Sequence, residues 1–236
     1  MSATVRIVGA LFIVATISSS LGFALVDSIL DDQDVLAGVS SHETQILAAG
    51  FLLLVNAVAV VIIPFLLYPI FRRHNESLAR LYPAARIVES VVLVIGIVGL
   101  LSLLTLSEGY EPALANAPSL QASSDALVAV YDWGVLLGVM FFFGLSALVL
   151  NSLLYQSQLV PRWLSVWGLL AAAVLMTEGF LEAFDIEGLS IMSAPIAVQE
   201  MVFAVWLIAK GFSPTIPSDA AQEAASGDRV NRSTAD

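Results

Sequence analysis

Long uncharged apolar stretches, separated by short polar ones, dominate the chain. An α-helix rises about 1.5 Å per residue, so about 20 mostly apolar residues cross about 30 Å of hydrocarbon. Six runs are long enough: Ile7 to Val26, Ile46 to Phe71, Ala84 to Leu106, Ala126 to Tyr155, Pro161 to Ala183 and Leu189 to Phe212. The pattern predicts an all-α, polytopic membrane protein with six transmembrane helices in residues 1–212. The fourth run exceeds a single crossing and should tilt or project. Ser40 and Glu43 read as an S-x-x-E capping box opening the second helix. Arg6 ahead of the first run would also suit a secretory signal peptide. That run is longer than a typical signal core and no clear A-x-A site follows, so a retained helix is expected. The stretch from Asp27 to Val39 has room for a short surface helix. The tail, residues 213–236, is polar, small and proline-containing. It cannot bury enough apolar area to offset its ordering entropy and is expected to be disordered.

The basic residues set a direction. With the N-terminus in the cytoplasm, the inner segments hold Arg6, Arg72, Arg73, Arg80, Arg86, Arg162, Lys210, Arg229 and Arg232, which are all nine. The three outer loops hold none; they carry Asp27, Asp31, Asp32, Asp34, Glu43, Glu108, Glu111, Asp125, Asp185 and Glu187. Lys and Arg stay on the cytoplasmic side during insertion, and acidic residues matter little. A missed or extra helix would scatter the basic residues. The expectation is a plasma-membrane protein with both termini cytoplasmic.

Composition agrees and removes several chemistries. The chain is 58% hydrophobic and 12% charged, against about 25% charged in soluble domains, so lipid must cover much of its outside. Without cysteine there are no disulfides, thiolate metal sites or thiol catalysis. His42 and His74 both fall in polar stretches, leaving no membrane-helix histidine to hold a haem. Lys210 ends the last run and is the only lysine, so a buried Schiff base is not expected either. No cofactor or metal is anticipated. The net charge of −11 gives no support to nucleic-acid binding. Arginine outnumbers lysine eight to one and the loops are rich in aspartate, a halophile-like composition.

Three helix starts look alike: Arg6-Ile7-Val8, Arg86-Ile87-Val88 and Arg162-Trp163-Leu164. Two inward-going helices end in Leu-Leu-Tyr, at Tyr68 and Tyr155. This would suit three parallel hairpins or an inverted repeat. The plainer account is that arginine and tyrosine favour these interfacial positions in any membrane protein.

Polar residues inside apolar runs are costly in lipid and usually face the bundle interior. Glu200 lies near the middle of the sixth run, beside Gln199 and about a turn after Pro195, where the helix should start or kink. Asn56, near the middle of the second run, is a candidate partner for Glu200 or simple interhelical glue. Arg86 and Glu89 share a face near the inner end of the third run. They either neutralise each other while Arg86 snorkels to the interface, or hold an anionic substrate or partner carboxylate in an inner cavity. Asp132 lies toward the outer end of the fourth run, followed by Gly134 and Gly138 in a G-x-x-x-G spacing that permits close helix approach. Glu178, Glu182 and Asp185 share one face of the fifth run, with Glu178 the deepest. No Ser–His pair, metal-ligand helix motif or phosphate loop appears, so no catalytic residue is assigned. Ser18, Ser19 and Ser20 read as packing residues.

Several of these residues also carry a resemblance. Arg86-Ile87-Val88-Glu89, the stretch from Leu154 to Gly168 containing Leu159-Val160-Pro161-Arg162-Trp163-Leu164, and the stretch from Gln199-Glu200-Met201 to Phe212 resemble the membrane family catalogued as domain of unknown function 4386. Tyr68-Pro69, Arg73-His74-Asn75-Glu76 and Asp132-Trp133 add to it, and the resemblance covers about residues 4 to 212. It implies a multi-pass bacterial or archaeal membrane protein and no particular activity. It lends weight to Arg86, Glu89, Asp132, Gln199 and Glu200 without assigning them roles.

Three functions are compatible with this pattern. The first is a small transporter or permease-like protein with a midplane polar site for a small molecule or ion. The alternative is a structural, sensory or assembly protein that binds lipids or another membrane protein. A membrane-embedded enzyme acting on lipid, with carboxylates as acid and base, lacks a supporting constellation.

Overall fold

A computed structural model describes residues 3–30, 34–108, 118–184, 186 and 194–213. Every regular element among them is helical: α1 (Ala3–Leu30), α2 (Val35–Ser41), α3 (Glu43–Phe71), α4 (Glu76–Ser107), α5 (Pro118–Val135), a π-helical segment (Leu136–Phe143), α6 (Gly144–Ser157), α7 (Arg162–Ala183) and α8 (Ala194–Ala209). The stretch from α5 to α6 is one helical run of 40 residues. Five helices among the described residues are long and apolar enough to cross a membrane, at 22 to 40 residues each. The sixth expected run is represented by α8, which has 16 residues. Residues 189–193, the early part of that run, lie outside those described, as does the tail from 214 on.

Helix boundaries differ from expectation where capping overrides hydropathy. The third long helix begins at Glu76, not Ala84. Asn75 caps it, its side-chain oxygen accepting from the Leu78 N–H at 3.1 Å. The helix continues through Pro83 at the cost of one backbone hydrogen bond. Arg86 therefore follows the helix start by ten residues, about 15 Å along the axis. The expected Ser40–Glu43 capping box does not form. Ser40 lies inside α2, and His42 takes the N-cap of α3 without a side-chain bond. The short helix expected between the first two long helices does form, as α2. Asp34 caps it, accepting from the Ala37 N–H at 3.1 Å, and Leu36 and Val39 are buried beneath it.

The long helices pack in a closed ring. α1 lies against α3, α3 against α4, and α4 against the α5–α6 run; α6 lies against α7, α7 against α8, and α8 returns to α1. One apolar cluster joins Val5, Phe71, Tyr82, Leu154, Leu164 and Leu207, so the helix ends bearing Arg6, Arg72, Arg73, Arg162 and Lys210 gather at one end of the ring. A second cluster joins Val26, Val39, Ile46, Leu103 and Tyr131 at the other. The outside is apolar along helical stripes, as at Ile7, Val14, Ile17 and Leu21 on α1 and Val91, Ile95 and Val98 on α4. Such stripes facing outward have no packing partner among the described residues and match lipid surroundings.

The G-x-x-x-G spacing has a definite use. A Cβ on Gly134 would stand 2.6 Å from the Gly96 Cα, and Gly138 faces the α4 backbone at Leu93 and Glu89. The missing side chains let the fourth run approach α4 at the level of Glu89.

Candidate functional site

The ring encloses a cavity of about 240 Å³, and all of its long helices contribute to the wall. α1 supplies Phe12, Thr16 and Ser19, α3 Asn56, α4 Arg86 and Glu89, the π segment Gly138 and Phe143, α7 Leu175, and α8 Ile196 and Glu200. π-helical turns inside α-helices recur at functional sites because the widened turn redirects side chains. Here the π segment places Phe143 over Arg86, with the ring centroid 5.0 Å from the guanidinium carbon.

Arg86 organises the polar floor. Its Nη1 donates to both Glu89 oxygens, at 2.9 and 3.3 Å, and its Nη2 donates to Glu200 Oε1 at 3.3 Å. Ser146 Oγ donates to Glu89 Oε2 at 3.0 Å. Arg86 is 1% exposed and so does not snorkel to the interface: α4 begins too early for its side chain to reach the end. Nε of Arg86 has no partner among the described residues. The Tyr82 ring, one turn earlier, has its centroid 5.7 Å from the guanidinium carbon.

Glu200 thus meets Arg86 rather than Asn56. Asn56 lines the same cavity and makes no hydrogen bond to the described residues. The described part of α8 begins at Ala194, which puts Pro195 in the first turn, where proline costs little.

Gln199 belongs to a separate polar cluster. Its Nε2 donates to Asn151 Oδ1 at 3.2 Å and to the Leu164 carbonyl at 3.3 Å, while Asn151 Nδ2 donates to the Ala147 carbonyl at 2.9 Å. Gly168 makes room for it: a Cβ there would run into the Asn151 carboxamide. Asn151, Ser146, Tyr82 and Phe143 are not among the residues that the sequence pattern singles out. Asn151 carried the same signal as Asn56, an amide deep in an apolar run. Ser146 and the two aromatics carried no signal distinguishing them from packing residues.

Asp132 and Glu178 stand apart from the cavity. Asp132 is exposed on α5, within electrostatic reach of Glu182 on α7 and Asp27 on α1. Glu178 is buried, and its Oε2 has no partner among the described residues. No group of three or more His, Asp or Glu suited to a metal ion occurs among the described residues.

The family described as Domain of unknown function (DUF4386) matches residues 7–211, from the first turns of α1 to the end of α8. The chain belongs to that family. The match takes in every helix of the ring and all residues of the Arg86 site, so the cavity lies wholly within the family domain. Neither the curated proteins nor the solved structures contain a match to the chain.

Proposed function

We propose that this DUF4386 protein spans the plasma membrane six times with both termini cytoplasmic, and that it moves a small solute or ion through a site built on Arg86, Glu89 and Glu200. The observation that carries this reading is a buried arginine–dicarboxylate group on the wall of a cavity enclosed by lipid-exposed helices. Charges at that depth are expensive, and a purely structural role would be served as well by apolar packing. A carboxylate that can release and regain a proton inside the ring couples solute movement to a proton gradient. The basic residues at one end of the ring support the cytoplasmic placement of that end.

The test is flux in liposomes containing the purified protein, with an imposed proton gradient and a fluorescent pH indicator inside. Wild type should dissipate the gradient faster than empty vesicles, and Glu200→Gln should abolish the difference. Equal rates for Glu200→Gln and wild type would remove Glu200 from the mechanism; equal rates for wild type and empty vesicles would remove proton coupling.

A second reading is lipid binding. It is favoured by an apolar groove of about 610 Å³ along α1 and α8, from Thr16 to Trp206 and Lys210. Stoichiometric lipid retained through purification would support it.

A further inference from the structure

The charge balance of the cavity points to the kind of ligand it takes. Two carboxylates converge on one guanidinium, so the group carries a formal charge of −1 when both are ionised. Arg86 is the only cationic side chain on the described cavity wall. A charge surplus shielded from water is met by a proton or by a bound cation. Glu200 is the open member of the group. Its Oε1 accepts from Arg86, whereas its Oε2 accepts from none of the described residues, and its side chain is 14% exposed on the cavity.

The rest of the wall suits an organic cation better than a hydrated metal ion. Phe12, Phe23 and Phe143 contribute aromatic surface against which the apolar part of an organic cation packs. The Asn56 amide is free of hydrogen bonds among the described residues, and the Ser19 hydroxyl, which donates to the Thr16 carbonyl at 3.1 Å, keeps its oxygen lone pairs for a ligand N–H. The remaining wall is aliphatic, including Val60, Ile63, Leu93 and Leu175. At about 240 Å³ the space matches about eight water volumes, below the usual size of a drug-like pocket. Thr16 and Ala197 line both this cavity and the apolar groove along α1 and α8, so the cavity borders the flank that faces lipid.

We infer that the cavity binds a small lipophilic amine in its protonated form, with the ammonium against Glu200 and the apolar part among Phe12, Phe23 and Phe143. The inference names the substrate class of the proposed transport site and rests on that reading, but binding is measurable without flux.

The experiment is calorimetric titration of the purified full chain in detergent at neutral pH and fixed ionic strength. The probes are benzylammonium, benzyl alcohol and benzoate, which share one shape and differ in charge. Benzylammonium should bind saturably at one per chain, at least tenfold more tightly than benzyl alcohol, with benzoate weakest. Glu200→Gln should weaken benzylammonium at least tenfold and leave benzyl alcohol unchanged. Equal binding of the three probes, preference for benzoate, or no saturable binding of benzylammonium would overturn the inference. The wild-type charge series decides the matter even if Glu200→Gln fails to fold. Benzylammonium binding without any flux would sustain the amine site and remove the transport reading. Proton flux without amine binding would do the reverse.

Discussion

Removing all three charges should harm the protein less than removing one. Arg86→Met leaves Glu89 and Glu200 facing each other without their shared guanidinium, whose nitrogens stand 2.9 and 3.3 Å from them. Breaking a buried pair from one side costs about 3–5 kcal/mol, because the remaining charge is uncompensated. The lower end of that range applies, since Glu200 borders the cavity and both carboxylates can relieve the repulsion by taking up a proton. Adding Glu89→Gln and Glu200→Gln removes the orphaned charges while keeping acceptors for the Ser146 hydroxyl, which donates to Glu89 at 3.0 Å. The triple variant should therefore recover about 2 kcal/mol relative to Arg86→Met alone, a factor of about 30 in the folded-to-unfolded ratio. Equilibrium unfolding of the purified variants in mixed micelles, followed by far-UV circular dichroism, measures the difference. If the triple variant is no more stable than the single one, charge balance is not what Arg86 contributes. A stable triple variant that has lost amine binding and flux would show that the charges serve the site rather than the fold.

Two further variants probe how the helices are set around the cavity. Gly168→Ala should cost about 1–3 kcal/mol through overpacking, because its methyl would displace the Asn151 carboxamide from Gln199. Combining it with Asn151→Ala should cost less than the sum of the two, and additive stabilities in a double-mutant cycle would refute the contact. Gly134→Ala should destabilise by a similar amount because Gly96 backbone atoms lie 2.6 and 2.8 Å from the new Cβ, whereas Gly50→Ala meets first a flexible Leu101 side chain at 3.2 Å and should cost clearly less. Equal thermal-midpoint losses for the Gly134 and Gly50 variants would contradict the α4–α5 packing.

Hydropathy located the long helices because their outward stripes are apolar for a physical reason that leaves its mark on every turn. It was less informative where polar chemistry sets the boundary. Asn75 starts α4 two turns before the apolar run, and those turns decide whether Arg86 sits at an end or deep inside. The candidate residues were legible one at a time, since an ionisable group in an apolar run stands out by cost alone. Their pairing was not. Glu200 and Gln199 are adjacent in sequence yet point to different clusters, one to Arg86 across the ring and the other to Asn151 on α6. Helical geometry requires that divergence, because neighbouring residues are about 100° apart around the axis, but only the ring order says what lies in each direction. The ring order depends on glycines such as Gly134 and Gly168, whose significance is the neighbour they admit. Glu200 therefore acquires a partner only once α8 closes the ring against α1 and α7. The same closure brings a second carboxylate to a guanidinium already bonded to Glu89, and so assembles the group of two carboxylates and one guanidinium on which the amine site rests.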